Sequence, residues 1–217
     1  MIKVALIVVL YSVAIPFAAI SQIKYLEEGN KGLGIDLNYS YLNNTDNFQG
    51  QVGYSGSGVF DIGVIYAKAS VANLIGAYCE RSVLKPNQDL PFGINLGLSV
   101  SRSWASDYFY YAYGPYRDPM RYEVNVRTQS ASIDIEAYLL IKANEGVSFY
   151  PSIQIAREFI STNPSGFSDD SPYMGYIYDI DIYIKASNKI AIIFTPGYLQ
   201  IKGENSIAFS LAFMKYI

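Results

Sequence analysis

KGLGIDLNYSY, residues 31–41, alternates without a fault. Leu33, Ile35, Leu37, Tyr39 and Tyr41 take the odd positions, with Gly34, Asp36, Asn38 and Ser40 between them. A period of two puts these sets on opposite faces of an extended strand. Such a strand has one apolar wall and one polar wall, and the fold turns on what each wall meets.

The same period recurs down the chain. Phe48, Val52 and Tyr54 alternate with Gln49, Gln51 and Gly53; Phe92, Ile94, Leu96, Leu98 and Val100 alternate with Gly93, Asn95, Gly97 and Ser99. Ile133 and Ile135 oppose Asp134 and Glu136, and YIYDIDIYIK (176–185) sets Asp179 and Asp181 against Ile180 and Ile182. The pattern predicts an all-β protein of about ten strands, eight to twelve in range. They fall near 33–42, 47–56, 58–67, 72–84, 92–103, 124–141, 147–160, 174–186, 190–201 and 205–217. Turn residues separate nearly every pair, as in NNTD, GSG, PNQD, NEG and GEN. The two long connections are 104–123 and 161–173. NLIGAYCERS changes phase near Cys79 and predicts a bulge there. Pro151 and Pro196, inside strands, predict two more.

Residues 1–21 read as a cleaved signal peptide, with 22–217 as the barrel domain. Lys3, the apolar run from Val4 to Ile15, Pro16, and the small Ala19 and Ser21 carry that reading. The apolar run is too short for a spanning helix. Loss of Lys3 takes the formal net charge from −3 to −4. With no basic run, nucleic acid is excluded as a partner. Cys79 is the lone cysteine, so no intrachain disulfide forms. Histidine is absent, which removes Ser-His-Asp and Cys-His catalysis and His-bound zinc together.

Three features favour apolar side chains on the outside. Only 16% of residues are charged, against the quarter to a third or so of a soluble surface. Aromatic residues gather toward strand ends, as membrane-interface girdles require. Both long connections emerge on one side of an up-and-down barrel.

With its leader, even strand number and terminal strand SIAFSLAFMKYI, the chain resembles the small outer-membrane β-barrels of diderm bacteria. That resemblance implies export to the outer membrane and contact with its lipid and lipopolysaccharide. It also implies recognition by the barrel-assembly machinery through the last strand, where Phe209, Leu211 and Phe213 face lipid. Ile217 stands at the end where the family pattern has an aromatic.

On this reading Asp36, Asp61, Asp134, Glu136, Asp179 and Asp181 line the lumen, with Lys185 as the lumenal cation. Glu158 lies nearer the outer end, and Tyr138, Tyr150 and Tyr183 are candidates to plug the bore. An acidic lining favours small cations, so the expected function is a small cation-leaning passive pore or a structural or surface-binding barrel. The alternative is an exported soluble lipocalin-like barrel holding an apolar ligand. A more remote one is an outer-membrane hydrolase of the omptin type, whose catalytic histidine this chain lacks. No catalytic residue, metal or cofactor is expected. Tyr108, Tyr110, Tyr111, Tyr113, Tyr116, Arg117 and Arg121 are the candidate outer contacts, because tyrosine suits recognition surfaces and guanidinium suits phosphate.

Overall fold

The structure, a computed structural model, describes residues 23–26, 29–42, 45–69, 72–87, 89–111, 120–163, 172–201 and 204–217. Ten long strands form it: β1 Gly32–Leu42, β2 Thr45–Gly56, β3 Phe60–Ala69, β4 Ala72–Leu84, β5 Phe92–Tyr111, β6 Met120–Leu139, β8 Val147–Asn163, β9 Tyr173–Lys185, β10 Ile190–Ile201 and β11 Glu204–Tyr216. A two-residue strand, β7 at Ile141–Lys142, pairs beside β8. Each long strand pairs antiparallel with its neighbours in sequence, and β11 returns to pair with β1 from Gly32↔Tyr216 to Tyr41↔Ile207. This closure pairs the first strand with the last and leaves the barrel without an open seam. The expected all-β, ten-stranded antiparallel barrel is what the chain forms.

The hairpin between β2 and β3 shows how local sequence sets the register. Ser57 and Gly58 take φ of 59° and 60°. Positive φ at both central residues is the turn whose twist matches paired strands.

The alternation sorts the two walls as expected. Outward positions are apolar: Leu37 is 57% exposed and Val64 59%. Inward positions are covered, both polar ones such as Asp61 and Asp181 at 0% and apolar ones such as Ile65, Leu74, Ile193 and Ile201. A water-facing wall made of Leu33, Ile35, Ile133, Ile155, Phe209 and Phe213 would be an aggregation surface. The same wall is what a bilayer solvates. This inverted arrangement excludes the lipocalin-like alternative, in which those side chains would fill the core.

Three expectations of detail fail, each for a physical reason. The connection expected over 104–123 is mostly strand, since β5 and β6 pair as far as Tyr111↔Met120. The alternation of the sequence fades over this stretch, but the strand pairing continues. β8 likewise runs on to Asn163. Strand β4 keeps its phase through Cys79, and its irregularity lies between Ser82 and Leu84; the small Gly76 and Ala77 had blurred the period. Pro151 and Pro196 cause no bulge. An antiparallel residue sends its N–H toward one neighbour only. Pro196 keeps its pairing with Phe209, while the ladder to β9 is interrupted between Phe194↔Ile182 and Gly197↔Asp179. Pro151 pairs with Ile180, and its other side faces the gap where β8 changes partner from β6 to β7.

Candidate functional site

The lumen is walled by hydroxyls, amides and carboxylates together with buried apolar clusters, Ile160, Ile177, Leu199 and Ile201 in one and Ile65, Leu74 and Tyr78 in another. Ser99 bonds Ser132 at 2.7 Å and Ser101 bonds Ser130 at 2.8 Å, each across β5 and β6. Six of the carboxylates take a donor from an adjacent strand. Gln154 Nε2 donates to Asp134 at 2.8 Å, Thr195 to Asp181 at 2.5 Å, and Asn95 Nδ2 to Glu136 at 2.9 Å. Ser210 donates to Asp36, Ser152 to Asp179 and Tyr173 to Glu158. Asp36 also accepts from Asn38 Nδ2 at 2.6 Å.

Glycine makes room for the larger inward side chains. A Cβ on Gly93 would stand 2.2 Å from the ring of Tyr138, its cross-strand partner. A Cβ on Gly97 would stand 2.3 Å from Asp134, again its partner. Small residue against large residue is thus written into the β5–β6 register.

At the end of the barrel where β1 begins and β11 ends, Ile23–Tyr25 forms a short 3-10 turn. Lys24, Tyr25 and Leu26 are all buried there. Lys24 Nζ lies 2.5 Å from Glu136 Oε1 and 2.5 Å from Asp181 Oδ2. Carboxylate oxygens of Glu136, Asp179 and Asp181 fall within 4.8 Å of one another, so this ammonium sits where mutual repulsion of three acids would be greatest. Burial works to lower the Lys24 pKa, but Asp181 and Glu136 outweigh it and hold the pKa well above the ordinary lysine value of 10.5.

Tyr25 completes the closure. Its ring stacks on Tyr183 at 5.8 Å and meets Tyr150 edge-on at 5.1 Å. Tyr138 lies 6.2 Å from Tyr150 and also faces the ammonium of Lys24, 6.0 Å away. Leu26 packs with Met214, Ala212, Ile193 and Ala191 in the same cluster. Lys85 from the β4–β5 connection holds the Leu26 carbonyl.

Asp36, Asp61, Asp134, Glu136, Asp179 and Asp181 all point inward. Glu136, Asp179 and Asp181 come together at the terminal end. Asp36 lies across from them, bonded to β11 through Ser210. Lys185 does not join them: it ends β9 and is exposed at the rim. The cation among the acids is Lys24, which strand periodicity could not find because it precedes the first strand. Glu80 is also inward and buried, concealed in the sequence by the blurred phase of β4. Tyr108, Tyr110 and Tyr111 fall on the last residues of β5, and Arg121, paired with Tyr110, on the first of β6. Tyr113, Tyr116 and Arg117 lie outside the described residues, as does the stretch 1–21 expected to be a leader.

No protein-family model matches the chain, and no curated protein sequence matches it either. Solved structures do. The β domain of the Bordetella autotransporter BrkA is similar with a TM-score of 0.55 at 11% identity, over 87% of this chain and 99% of that one. The translocator domain of autotransporter NalP from Neisseria meningitidis is similar with a TM-score of 0.56 at 8% identity, over 89% and 90%. With its closed register and apolar outer wall, the chain has the fold of the outer-membrane β-barrels.

Proposed function

We propose that the protein is a bacterial outer-membrane barrel closed from within by its own N-terminal segment, acting as a structural or surface-binding barrel and not as an enzyme. One observation carries this reading: Lys24 is ion-paired to two strands at once, β6 through Glu136 and β9 through Asp181. That ammonium and the rings of Tyr25, Tyr138, Tyr150 and Tyr183 pack together across the bore at this end. Export by the 1–21 leader and assembly through β11, whose Phe209, Leu211 and Phe213 face outward, belong to the same reading. So does surface contact through Tyr108, Tyr110, Tyr111 and Arg121, on the far ends of β5 and β6.

A second reading, a small cation-leaning pore, is favoured by the acidic lining. It applies to the same barrel once the segment leaves. Single-channel recording in planar bilayers separates the two. The wild-type protein is expected to give no steps, and Lys24→Ala/Tyr25→Ala to give small, cation-selective ones, because acidic rings attract cations. Steady conductance by the wild type would refute the closed barrel.

A further inference from the structure

The Nζ atom of Lys24 has carboxylate oxygens of Glu136 and Asp181 at 2.5 Å each. Calcium takes its oxygen ligands at about 2.3–2.6 Å, so the place held by this ammonium also suits a metal ion. Oxygens of Glu136, Asp179 and Asp181 lie within 4.8 Å of one another. Two ligands of one calcium ion stand at most about 5 Å apart. One ion can therefore reach all three.

Two more buried side chains beside Glu136 carry oxygens without a donor. Asn95 on β5 is 0% exposed; its Nδ2 donates to Glu136 at 2.9 Å, and its Oδ1 has no hydrogen-bond partner. Glu80 on β4 is 7% exposed. Among the described residues, no hydrogen bond or ion pair reaches its carboxylate. The acids whose charge acts on it are Glu136 first, then Asp134 and Asp61. A buried carboxylate without a donor is costly unless a cation stands close by. A single ammonium thus faces three carboxylates, with a fourth next to them.

We propose that Glu136, Asp179 and Asp181, with Oδ1 of Asn95, form a calcium site whose ion exchanges with the Lys24 ammonium and so releases the N-terminal segment. The exchange rests on the closed-barrel reading and names what opens it. The two cations exclude each other, because both need the same oxygens of Glu136 and Asp181. Calcium brings two charges where lysine brings one, and it accepts carboxylate and amide oxygens in a flexible shell of about six to eight. Magnesium keeps several of its waters and suits a buried, all-protein cage poorly. As calcium enters, Lys24 passes to solvent, and Tyr25 and Leu26 leave their cluster with it. The ligands come from β5, β6 and β9, so no spacing in the sequence marks the site.

The test is amine acylation of the whole folded barrel in detergent, at mildly alkaline pH, read by peptide mapping. Under a chelator, Lys24 should stay unmodified while the exposed Lys189 reacts. Calcium chloride at about 10⁻³ M, the weak end of protein calcium sites, should raise Lys24 acylation about tenfold or more and leave Lys189 unchanged. Asp179→Asn keeps both ion pairs of Lys24 but loses a calcium ligand. In that variant Lys24 should stay protected with calcium present, heat-dependent mobility in SDS showing that the barrel is folded. Protection of the wild-type Lys24 at every calcium concentration would overturn the exchange and leave the closed barrel standing, as would a calcium response of Asp179→Asn equal to the wild type. Acylation of Lys24 at the rate of Lys189 under the chelator would remove the closed barrel and the exchange together. An equal effect of magnesium, or of sodium chloride at matched ionic strength, would make the release a matter of screening and refute the calcium site.

Discussion

Lys24 and Glu136, 112 residues apart in sequence, meet at 2.5 Å inside the barrel. The contact ties the segment before the first strand to the middle of the sheet. Removing one partner of a buried ion pair typically costs about 3–5 kcal/mol, because the other charge is left uncompensated. Here the acids can regain water if the segment leaves. Lys24→Met is therefore expected to free the segment by about 3 kcal/mol without unfolding the barrel. Protease should then trim the N-terminus while the heat-modifiable band persists. Lys24→Met/Asp181→Asn should recover part of the protection, since fewer acids remain unpaired.

The same ion pair sets a pH response. Lys24 has its pKa raised by Asp181 and Glu136 against the effect of burial. A raised pKa contributes stability that is fully present below the unfolded value near 10.4 and is lost only as pH climbs through the higher folded value. An amine-reactive ester at pH 9 should modify the exposed Lys31, Lys142, Lys185 and Lys189 and leave Lys24 unmodified. Peptide mapping reads the outcome, and acylation of Lys24 at the rate of Lys189 would remove it from the lumen.

Gly93 and Tyr138 make a third expectation. A methyl at position 93 would overlap the tyrosine ring at 2.2 Å. Overpacking of this kind costs about 1–3 kcal/mol. Gly93→Ala should lower the temperature of the SDS mobility transition, and Tyr138→Ala in the same chain should restore it. Failure of that rescue would mean the two residues are not opposed.

The outer wall gives a fourth. Leu37 is outward and far from either rim of β1. Leu37→Arg is expected to cost about 2–4 kcal/mol in a bilayer, as an arginine does at mid-depth. Its inward neighbour Asn38 should accept the same substitution at far smaller cost, because the lumen wall there is acidic. Urea titration of folding into lipid vesicles compares the two.

A two-residue period needs no tertiary information, and from it came the strand number, the alternation of walls and the inward aim of six carboxylates. Low surface charge then decided which wall met lipid. The far pairing of β5 and β6 was not legible, since the sequence at Tyr108 to Tyr111 and Met120 to Glu123 does not alternate, yet these residues still pair across the two strands. Nor was the closure. Nothing in IKYL, residues 23–26, says that it folds inward. Only the closed barrel brings Glu136 of β6 to Asp179 and Asp181 of β9, in a space too acidic to remain without a cation. Lys24 is the charge within reach, and the rings of Tyr138, Tyr150 and Tyr183 are positioned to bury Tyr25 beside it. Periodicity is a property of neighbours in sequence. The stopper depends on contacts more than a hundred residues apart, and those exist only once β11 has found β1.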